Sequence, residues 1–348
     1  PTRLVYKKVD SGAPTTLIDD NTVRFKVYQC ASSVSTCTSS NGTLVYFSAR
    51  GVLANDNIDS GKEVYKYKGT SAVSGAVSEL TPYQGELILR YLPSGYKYVA
   101  VETNAPIGYY SPSGSGTEKV VSNTTVNNVE TIENDYTEIR FEKTDIYGYY
   151  SNSDIAKIND NTIIFDTIKF VLRDKNGNKV LLKKIENGRY KLSRVASENT
   201  VEEITTKNGV LTITHLNRGE KYYIEEVSTD SAGNFILPTN ISKPSGIPSG
   251  WTWAGHPYVE YAIGNTKPAS VDTKLIANTP TRVVFVKRDS KTNEIINDSN
   301  ITFNVYRCSK TSSAACTSSN GTLVYFSARA QITGDTEDPG KEVYKYSK

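Results

Sequence analysis

Lysine, glutamate and asparagine recur in the same order in two successive parts of the chain. The sets are Lys8, Glu102 and Asn134, then Lys143, Glu226 and Asn278. In each set the lysine lies on a β-type run at the start, the glutamate comes late, and the asparagine ends a closing β-type run. Each asparagine also precedes the next such lysine by nine residues, because Asn134 is followed by Lys143 and Asn278 by Lys287. This repetition predicts that the three residue types act together.

The chemistry open to such a set is a self-formed isopeptide bond. Burial disfavours charge, so a buried lysine shifts towards its neutral, nucleophilic amine. A buried glutamate shifts towards the protonated acid, which can polarise the asparagine carbonyl and shuttle protons. The lysine then attacks, ammonia leaves, and alignment in the interior replaces an outside enzyme. Taken singly, a strand lysine or glutamate is usually solvated and an asparagine at a strand end is usually a turn residue. The repeated order favours the cross-link.

Long internal repeats divide the chain into domains. The fourteen residues CTSSNGTLVYFSAR stand at 37–50 and again at 316–329, and residues 84–102 align without gaps on residues 208–226. We predict one domain over residues 1–135, a second over 136–279, and the start of a third over 280–348 that repeats 1–69. In the third, Lys287 takes the place of Lys8 without a matching glutamate or asparagine in the chain. We expect the chain to be a segment of a longer tandem array.

Strand signals are dense along the chain and helix signals are scarce. Thr, Val, Ile and Tyr dominate the periodic stretches, and these residues favour half-buried strands. Asn-Gly, a strong cue for a β-hairpin, occurs at 41–42, 176–177, 187–188 and 208–209. Short strands with a turn signal about every ten residues are typical of β-sandwiches. We therefore predict an all-β chain of tandem immunoglobulin-like sandwiches in an elongated array.

The four cysteines form two local pairs at matching places in the repeat, Cys30 with Cys37 and Cys308 with Cys316. Zinc sites favour shorter spacings and usually include histidine. A pair that flanks a Ser/Thr-rich loop between two strands favours a loop-closing disulfide, which indicates an oxidising, extracellular setting. The alternative is two reduced structural thiol pairs in a cytosolic chain.

Several function classes lack support in the sequence. The net charge is +3 with acids and bases interspersed, so no basic stripe indicates a nucleic-acid partner. No apolar run is long enough to span a bilayer. His215 and His256 stand in unrelated contexts, so they form no catalytic triad with a serine or cysteine, and we expect no metal and no cofactor. Trp251 and Trp253 could stack on a glycan, although core packing or a cross-strand aromatic pair is the more ordinary use, and the same holds for Tyr147, Tyr149 and Tyr150.

One segment resembles a known family. YKYVAVETNAPIGYY at 96–110 is similar to the E-box of Gram-positive pilins, in which Glu-Thr on a strand precedes an Ala-Pro-x-Gly-Tyr turn. The patterns YKKVD and FEKTD, the L-x-x-G-x-x-Y stretches and the closing asparagine resemble the Cna protein B-type domain, a small immunoglobulin-like sandwich. The resemblance covers essentially the whole chain and implies that the two residue sets are its isopeptide triads, with Glu102 and Glu226 as the catalytic acids. The second domain lacks the Ala-Pro-x-Gly-Tyr turn after Glu226.

The resemblance implies a structural function, a stalk or filament segment of a bacterial surface adhesin or pilus. A near-verbatim repeat is typical of a spacer, whose partners are further repeats of the same protein or neighbouring filament subunits. The alternative is a ligand-binding adhesin module for glycan or matrix protein, and an enzyme for an external substrate finds almost no support. The expected location is the bacterial cell surface. The sequence leaves open the ligand, the number of repeats, the anchoring or sortase mechanism, and whether filaments form from one chain or many.

Overall fold

The described chain is built of β-strands, as the sequence predicted. The structure is a computed structural model. It describes residues 2–112, 116–121, 128–145, 164–195, 199–229, 235–245, 253–309, 314–335 and 337–347. Within these ranges the helical structure is one short 3-10 helix, Ile164–Thr167, and no helix is long and apolar enough to cross a membrane.

Eleven strands are described over residues 3–134. They are β1 (Arg3–Asp10), β2 (Ala13–Leu17), β3 (Arg24–Ala31), β4 (Thr43–Leu44), β5 (Tyr46–Phe47), β6 (Gly51–Val52), β7 (Glu63–Gly69), β8 (Glu86–Arg90), β9 (Tyr96–Asn104), β10 (Thr117–Val121) and β11 (Asn128–Asn134).

A further fifteen strands, many of them short, are described over residues 138–343. They are β12 (Glu138–Asp145), β13 (Phe170–Asp174), β14 (Leu182–Glu186), β15 (Arg189–Leu192), β16 (Thr200–Val201), β17 (Glu203–Ile204), β18 (Val210–Thr214), β19 (Lys221–Glu226), β20 (Phe235–Ile236), β21 (Tyr258–Ala262), β22 (Thr273–Pro280), β23 (Tyr306–Arg307), β24 (Thr322–Leu323), β25 (Ala330–Gln331) and β26 (Glu342–Val343).

Two compact units comprise these strands. The first unit is Pro1–Ile139 with Ile213–Lys221 and Tyr261–Val271, and the second is Arg140–Thr212 with Tyr222–Glu260 and Asp272–Lys348. The domain boundaries near residues 135 and 279 that the sequence indicated stay a prediction.

In the first unit two sheets enclose one core. The larger sheet has the order β11-β1-β8-β7-β5, with β2 and β6 attached, and the smaller has the order β10-β9-β3-β4. Strands β1 and β8 lie inside the larger sheet, which is why their residues are buried almost without alternation. Strand β3 lies between β9 and β4 and shows more alternation between buried and partly exposed positions. The apolar core combines side chains from both sheets, including Leu4, Tyr6, Phe25, Leu87, Leu89 and Tyr98.

The second unit also contains two large sheets. Their strand orders are β16-β14-β15-β18-β12-β22-β20 and β17-β13-β19-β21. The predicted Asn-Gly hairpin at 187–188 joins β14 to β15, and Gly188 has φ of +75°, which a side chain would disfavour. The first strand of this part, β12, lies beside its last long strand, β22, in parallel.

Among the described residues of 281–347, the paired strands form only local hairpins. Strand β23 pairs with β24 and places Tyr306 opposite Leu323, which repeats the pairing of Tyr28 with Leu44 between β3 and β4. A second hairpin joins β25 to β26. Residues 282–286, which match β1 in sequence, form no strand ladder in the described structure. Local contacts of the repeat are thus kept while the larger sheet is not assembled around them.

Candidate functional site

The larger sheet of the first unit places Lys8 next to the closing strand. Strands β1 and β11 run parallel, and Lys8 lies opposite Ile132 while Asp10 lies opposite Asn134. Because side chains two positions apart share a sheet face, Lys8 and Asn134 project to the same side. That side is the interior, since the exposed fraction is 1% for Lys8 and 5% for Asn134.

The facing sheet supplies Glu102 from β9. Its Oε2 atom lies 3.8 Å from Lys8 Nζ, and its Oε1 atom accepts a hydrogen bond of 3.1 Å from Asn134 Nδ2. Lys8 Nζ also donates to the backbone carbonyl of Ile132 at 2.9 Å, which orients the amine along β11. The structure therefore brings the three predicted residues together, as separate side chains, with the carboxyl between the amine and the amide.

Burial sets the protonation of this group. It lowers the pKa of the Lys8 amine to about 8, although the negative charges of Glu102 and Asp10 act in the opposite direction. It raises the pKa of the Glu102 carboxyl to about 7, against the opposing effect of Lys8. Glu102 Oε2 is buried and accepts no hydrogen bond within the described residues, so it can carry the proton. Both shifts favour the neutral amine and the neutral acid that the reaction needs.

The second set has the same arrangement. Strands β12 and β22 are parallel and place Lys143 opposite Ile276, whose carbonyl accepts a hydrogen bond of 3.1 Å from Lys143 Nζ. Glu226 Oε2 lies 3.8 Å from Lys143 Nζ, and Asn278 Nδ2 donates to Glu226 Oε1. All three side chains are buried, with exposed fractions of 1% for the lysine and 0% for the glutamate and asparagine.

Phenylalanines not singled out in the sequence line both sites. Phe25 on β3 is the register partner of Glu102, and Phe170 on β13 is the register partner of Glu226. Both rings are buried, so each carboxyl lies beside an apolar neighbour on the adjacent strand. In the second site Lys143 Nζ also lies 5.5 Å from the centre of the Phe165 ring. In both sites the phenylalanine is the first or second residue of the strand that pairs antiparallel with the glutamate strand.

The arrangement suits amide transfer from asparagine to lysine. A neutral Lys8 amine can keep its hydrogen bond to the Ile132 carbonyl while its lone pair attacks the Asn134 side-chain carbon. Once the side-chain amide has rotated, a protonated Glu102 can polarise the amide oxygen through a hydrogen bond. It can then give its proton to the departing ammonia and recover one from the attacking Lys8 nitrogen, so that the carboxylic acid is regenerated. In the second site Asn278 Oδ1 is buried and has no hydrogen-bond partner among the described residues, so turning the amide would bring it to an acid donor.

The other predicted residues lie apart from these sites. Lys287 is exposed, although its backbone carbonyl accepts a hydrogen bond from Ile296, as that of Lys8 does from Ile18. The Sγ atoms are bonded at 2.05 Å between Cys30 and Cys37 and at 2.07 Å between Cys308 and Cys316. Each disulfide closes the loop after the homologous strand β3 or β23.

The aromatic residues considered for glycan stacking are only partly described. Trp253 donates from Nε1 to the carbonyl of Ile241 at 2.5 Å and packs edge-on against Tyr258 with ring centres 5.3 Å apart. Trp253 thus packs in an aromatic pair, which is a more ordinary use of a tryptophan than stacking on a glycan. Trp251, Tyr147, Tyr149 and Tyr150 lie outside the described residues.

Comparison with known proteins gives remote structural matches only. No protein-family model matches the chain, and no curated protein is similar to it in sequence. The shaft pilin SpaA from Lactobacillus rhamnosus GG matches with 13% identity over 81% of this chain and 98% of its own, at a TM-score of 0.30. A C-terminal fragment of the pilus adhesin SpaC from the same organism matches with 11% identity over 82% of this chain and 100% of its own, at 0.31. The major pilin T-13 from Streptococcus pyogenes matches with 11% identity over 80% and 97%, at 0.27. At these TM-scores the matches carry no argument about this chain.

The pKa values of Lys8 and Glu102 predict how bond formation depends on pH. The amine becomes neutral as the pH rises through about 8, whereas the acid loses its proton as the pH rises through about 7. The rate of bond formation, plotted against pH, should therefore be bell-shaped with its maximum between these two values. Protonated Lys8 limits the rate at lower pH, and deprotonated Glu102 limits it at higher pH.

This profile can be measured on chain recovered unfolded and unlinked from inclusion bodies and refolded across a pH series. The loss of ammonia is followed by intact mass, and a Lys143→Arg variant restricts the mass change to the first site. A rate that only rises with pH would show that Glu102 does not act as an acid.

Proposed function

We propose that the chain is a structural stalk or filament segment of a bacterial surface adhesin or pilus, with sandwiches that are cross-linked by self-formed bonds Lys8–Asn134 and Lys143–Asn278. The observation that carries this proposal is the triad geometry, which occurs twice with the same strand register. In each case a buried carboxyl lies 3.8 Å from a lysine of the first strand and hydrogen-bonds the asparagine of the last strand.

The position of the bond gives it a mechanical use. Strands β1 and β11 are the first and last of the first eleven strands and lie side by side in parallel. A pull on the two ends of this segment loads these two strands, and the parallel ladder would yield by shear or peeling. A covalent link between Lys8 and Asn134 would carry the force past the intervening residues, so the sandwich need not unfold.

The repeat and the disulfides fit this setting. A chain that repeats fourteen residues without change is suited to a spacer, in which further repeats or neighbouring filament subunits are the natural partners. Disulfides between Cys30 and Cys37 and between Cys308 and Cys316 suit an oxidising compartment such as the cell surface. A ligand-binding module is less well supported, because Trp253 is engaged by Ile241 and Tyr258.

Intact mass of the purified chain tests the cross-links directly. We expect a mass two ammonia molecules below that of the disulfide-bonded sequence, because each bond releases one ammonia. A Lys8→Arg variant should lose only one, since arginine stays charged and cannot attack. Fragmentation of a digest should give branched peptides that join β1 to β11 and β12 to β22. A wild-type mass with no ammonia lost would overturn the proposal.

A further inference from the structure

The turn that follows Glu102 is held by an arginine from a distant part of the chain. Strand β9 has one extra residue immediately after Glu102, where its register against Arg24 and Phe25 of β3 shifts. Such a bulge redirects the side chains beside it and is common next to reactive sites. Beyond Asn104 the chain turns at residues 105–109. The direction of the Glu102 side chain therefore depends on how firmly the bulge and the turn are held.

Arg218 holds the turn with one guanidinium group. Its Nη1 atom donates to the backbone carbonyls of Ala105, Pro106 and Tyr109, at 3.2, 2.9 and 3.1 Å. Its Nη2 atom donates to the side-chain oxygen of Asn104 at 2.9 Å and to the carbonyl of Ala105 at 3.2 Å. A planar group with several donors thus binds both ends of the turn, which a single ammonium could not do.

The segment that carries this arginine, Ile213–Lys221, belongs to the first unit and contacts the turn a second time. His215 Nε2 lies 3.2 Å from Asp10 Oδ2, to which the Tyr109 hydroxyl donates at 2.9 Å. The imidazole also packs edge-on against the Tyr109 ring, with ring centres 5.2 Å apart. Asp10 is the last residue of β1, two positions after Lys8. These contacts tie the turn to the strand that carries the reacting amine.

The two side chains are particular to this segment and do not belong to the shared repeat pattern. In the gapless alignment of the two matching segments, Arg218 takes the place of Ser94 and His215 that of Tyr91. Tyr91 and His215 have similar positive φ values, 64° and 61°, so the backbone shape is kept while the side chains differ. The arginine is therefore not needed to shape its own turn.

The second site holds its glutamate by other contacts. The backbone N–H of Glu226 donates to the carbonyl of Pro257 at 2.9 Å, and the N–H of Val227 donates to the carbonyl of Lys169 at 2.8 Å. Removing Arg218 should therefore disturb the first site and spare the second. The second bond can serve as an internal reference.

We propose that Arg218 is a positioning residue for the cross-link between Lys8 and Asn134. By holding the 105–109 turn it keeps the Glu102 carboxyl between the amine and the amide. This inference rests on the proposed function, because it concerns the rate at which that bond forms. Arg218 also acts through its charge. Burial raises the pKa of the Glu102 carboxyl, and the charge of Lys8, the hydrogen bond from Asn134 and the charge of Arg218 act in the opposite direction.

Refolding of unlinked chain, followed by intact mass over time, tests the role of Arg218. We expect Arg218→Ala to form the first bond roughly ten- to a hundredfold more slowly than the wild type, since a misplacement of about 1 Å can cost about 100-fold in rate. Branched peptides from a digest report each bond separately, and the second bond should form at the wild-type rate. Arg194→Ala, which removes an exposed arginine of the second unit, is the matched control and should leave both rates unchanged.

The pH dependence separates positioning from a general loss of stability. Without the charge at position 218 the pKa of Glu102 should rise further, so the rate maximum of Arg218→Ala should move to higher pH. Arg218→Lys keeps the charge but cannot span the turn, so its maximum should stay at the wild-type pH while the first bond still forms more slowly.

Three results would overturn this inference. They are an unchanged maximum in Arg218→Ala, a first bond that forms at the wild-type rate in that variant, and equal slowing of both bonds. A wild type that loses no ammonia would instead contradict the proposed function itself.

Discussion

Replacing Glu102 by alanine should leave Lys8 and Asn134 unlinked, while the bond between Lys143 and Asn278 still forms. The variant chain should therefore be one ammonia lighter than the mass expected from its own disulfide-bonded sequence, whereas the wild type should be two ammonia lighter than that expected from its sequence. Glu102 is the residue whose oxygens reach both the amine and the amide in the first site, at 3.8 and 3.1 Å. Without it no acid polarises the amide or carries the proton to the leaving group. General acid–base catalysis typically contributes about 10²–10⁴-fold in rate, enough to stop so slow a reaction.

The design of this experiment separates chemistry from folding. Glu102→Gln keeps the side-chain volume but cannot release a proton, so it should also stay unlinked while burying the same core. Glu133→Ala is the matched control, because Glu133 precedes Asn134 on β11 yet is exposed on the opposite face. The internal reference is the second site, which should react in all three variants. Loss of two ammonia molecules from folded Glu102→Gln, relative to the mass expected from its own sequence, would remove Glu102 from the mechanism.

The triads could be predicted from the sequence because they repeat. A single buried lysine on a strand has no distinctive pattern, but Lys8 and Lys143 each lie on a β-type run and precede a distant glutamate and asparagine in the same order. The structure adds the spatial arrangement of the triad, which the order of residues along the chain does not determine. Parallel pairing of the first and last strands, and the position of Glu102 on the facing sheet, depend on how two sheets pack.

Other features could not be predicted for physical reasons. Arg3 and Asp59 lie 56 positions apart, and charged residues at such positions are usually solvated, so nothing local marks them as a buried pair. Residues 282–286 show the reverse case, in which the sequence predicts a strand that the structure does not form. Their sequence closely matches β1, yet they form no ladder, because a strand is stabilised by its neighbours and not by its own propensity. Sequence similarity therefore predicts a strand only where the partner strands are also present.

When the chain is pulled by residues that lie outside the first cross-link, residues 9–133 of the wild type should contribute almost no extension. An Asn134→Ala chain should instead release this whole segment in one unfolding step. The reason is topological: force enters through β1 and leaves through β11, and a Lys8–Asn134 bond joins those strands directly, since they are neighbours in the sheet. A segment of this length extends by roughly 400 Å at 3.3–3.6 Å per residue, which single-molecule force spectroscopy resolves easily.

The same bond should also affect equilibrium unfolding. Closing a loop of more than 100 residues contributes roughly 5 kcal/mol to the free energy of unfolding by restricting the unfolded chain. Denaturant unfolding of Glu102→Gln, which keeps the amide of Asn134 and the volume at position 102, gives the cleaner comparison with the wild type than Asn134→Ala. Glu133→Ala should remain inextensible and as stable as the wild type within about 0.5 kcal/mol, since it changes only an exposed side chain. A wild-type trace that contains the full release of residues 9–133 would show that force does not pass through a covalent link, whatever stabilises the sandwich.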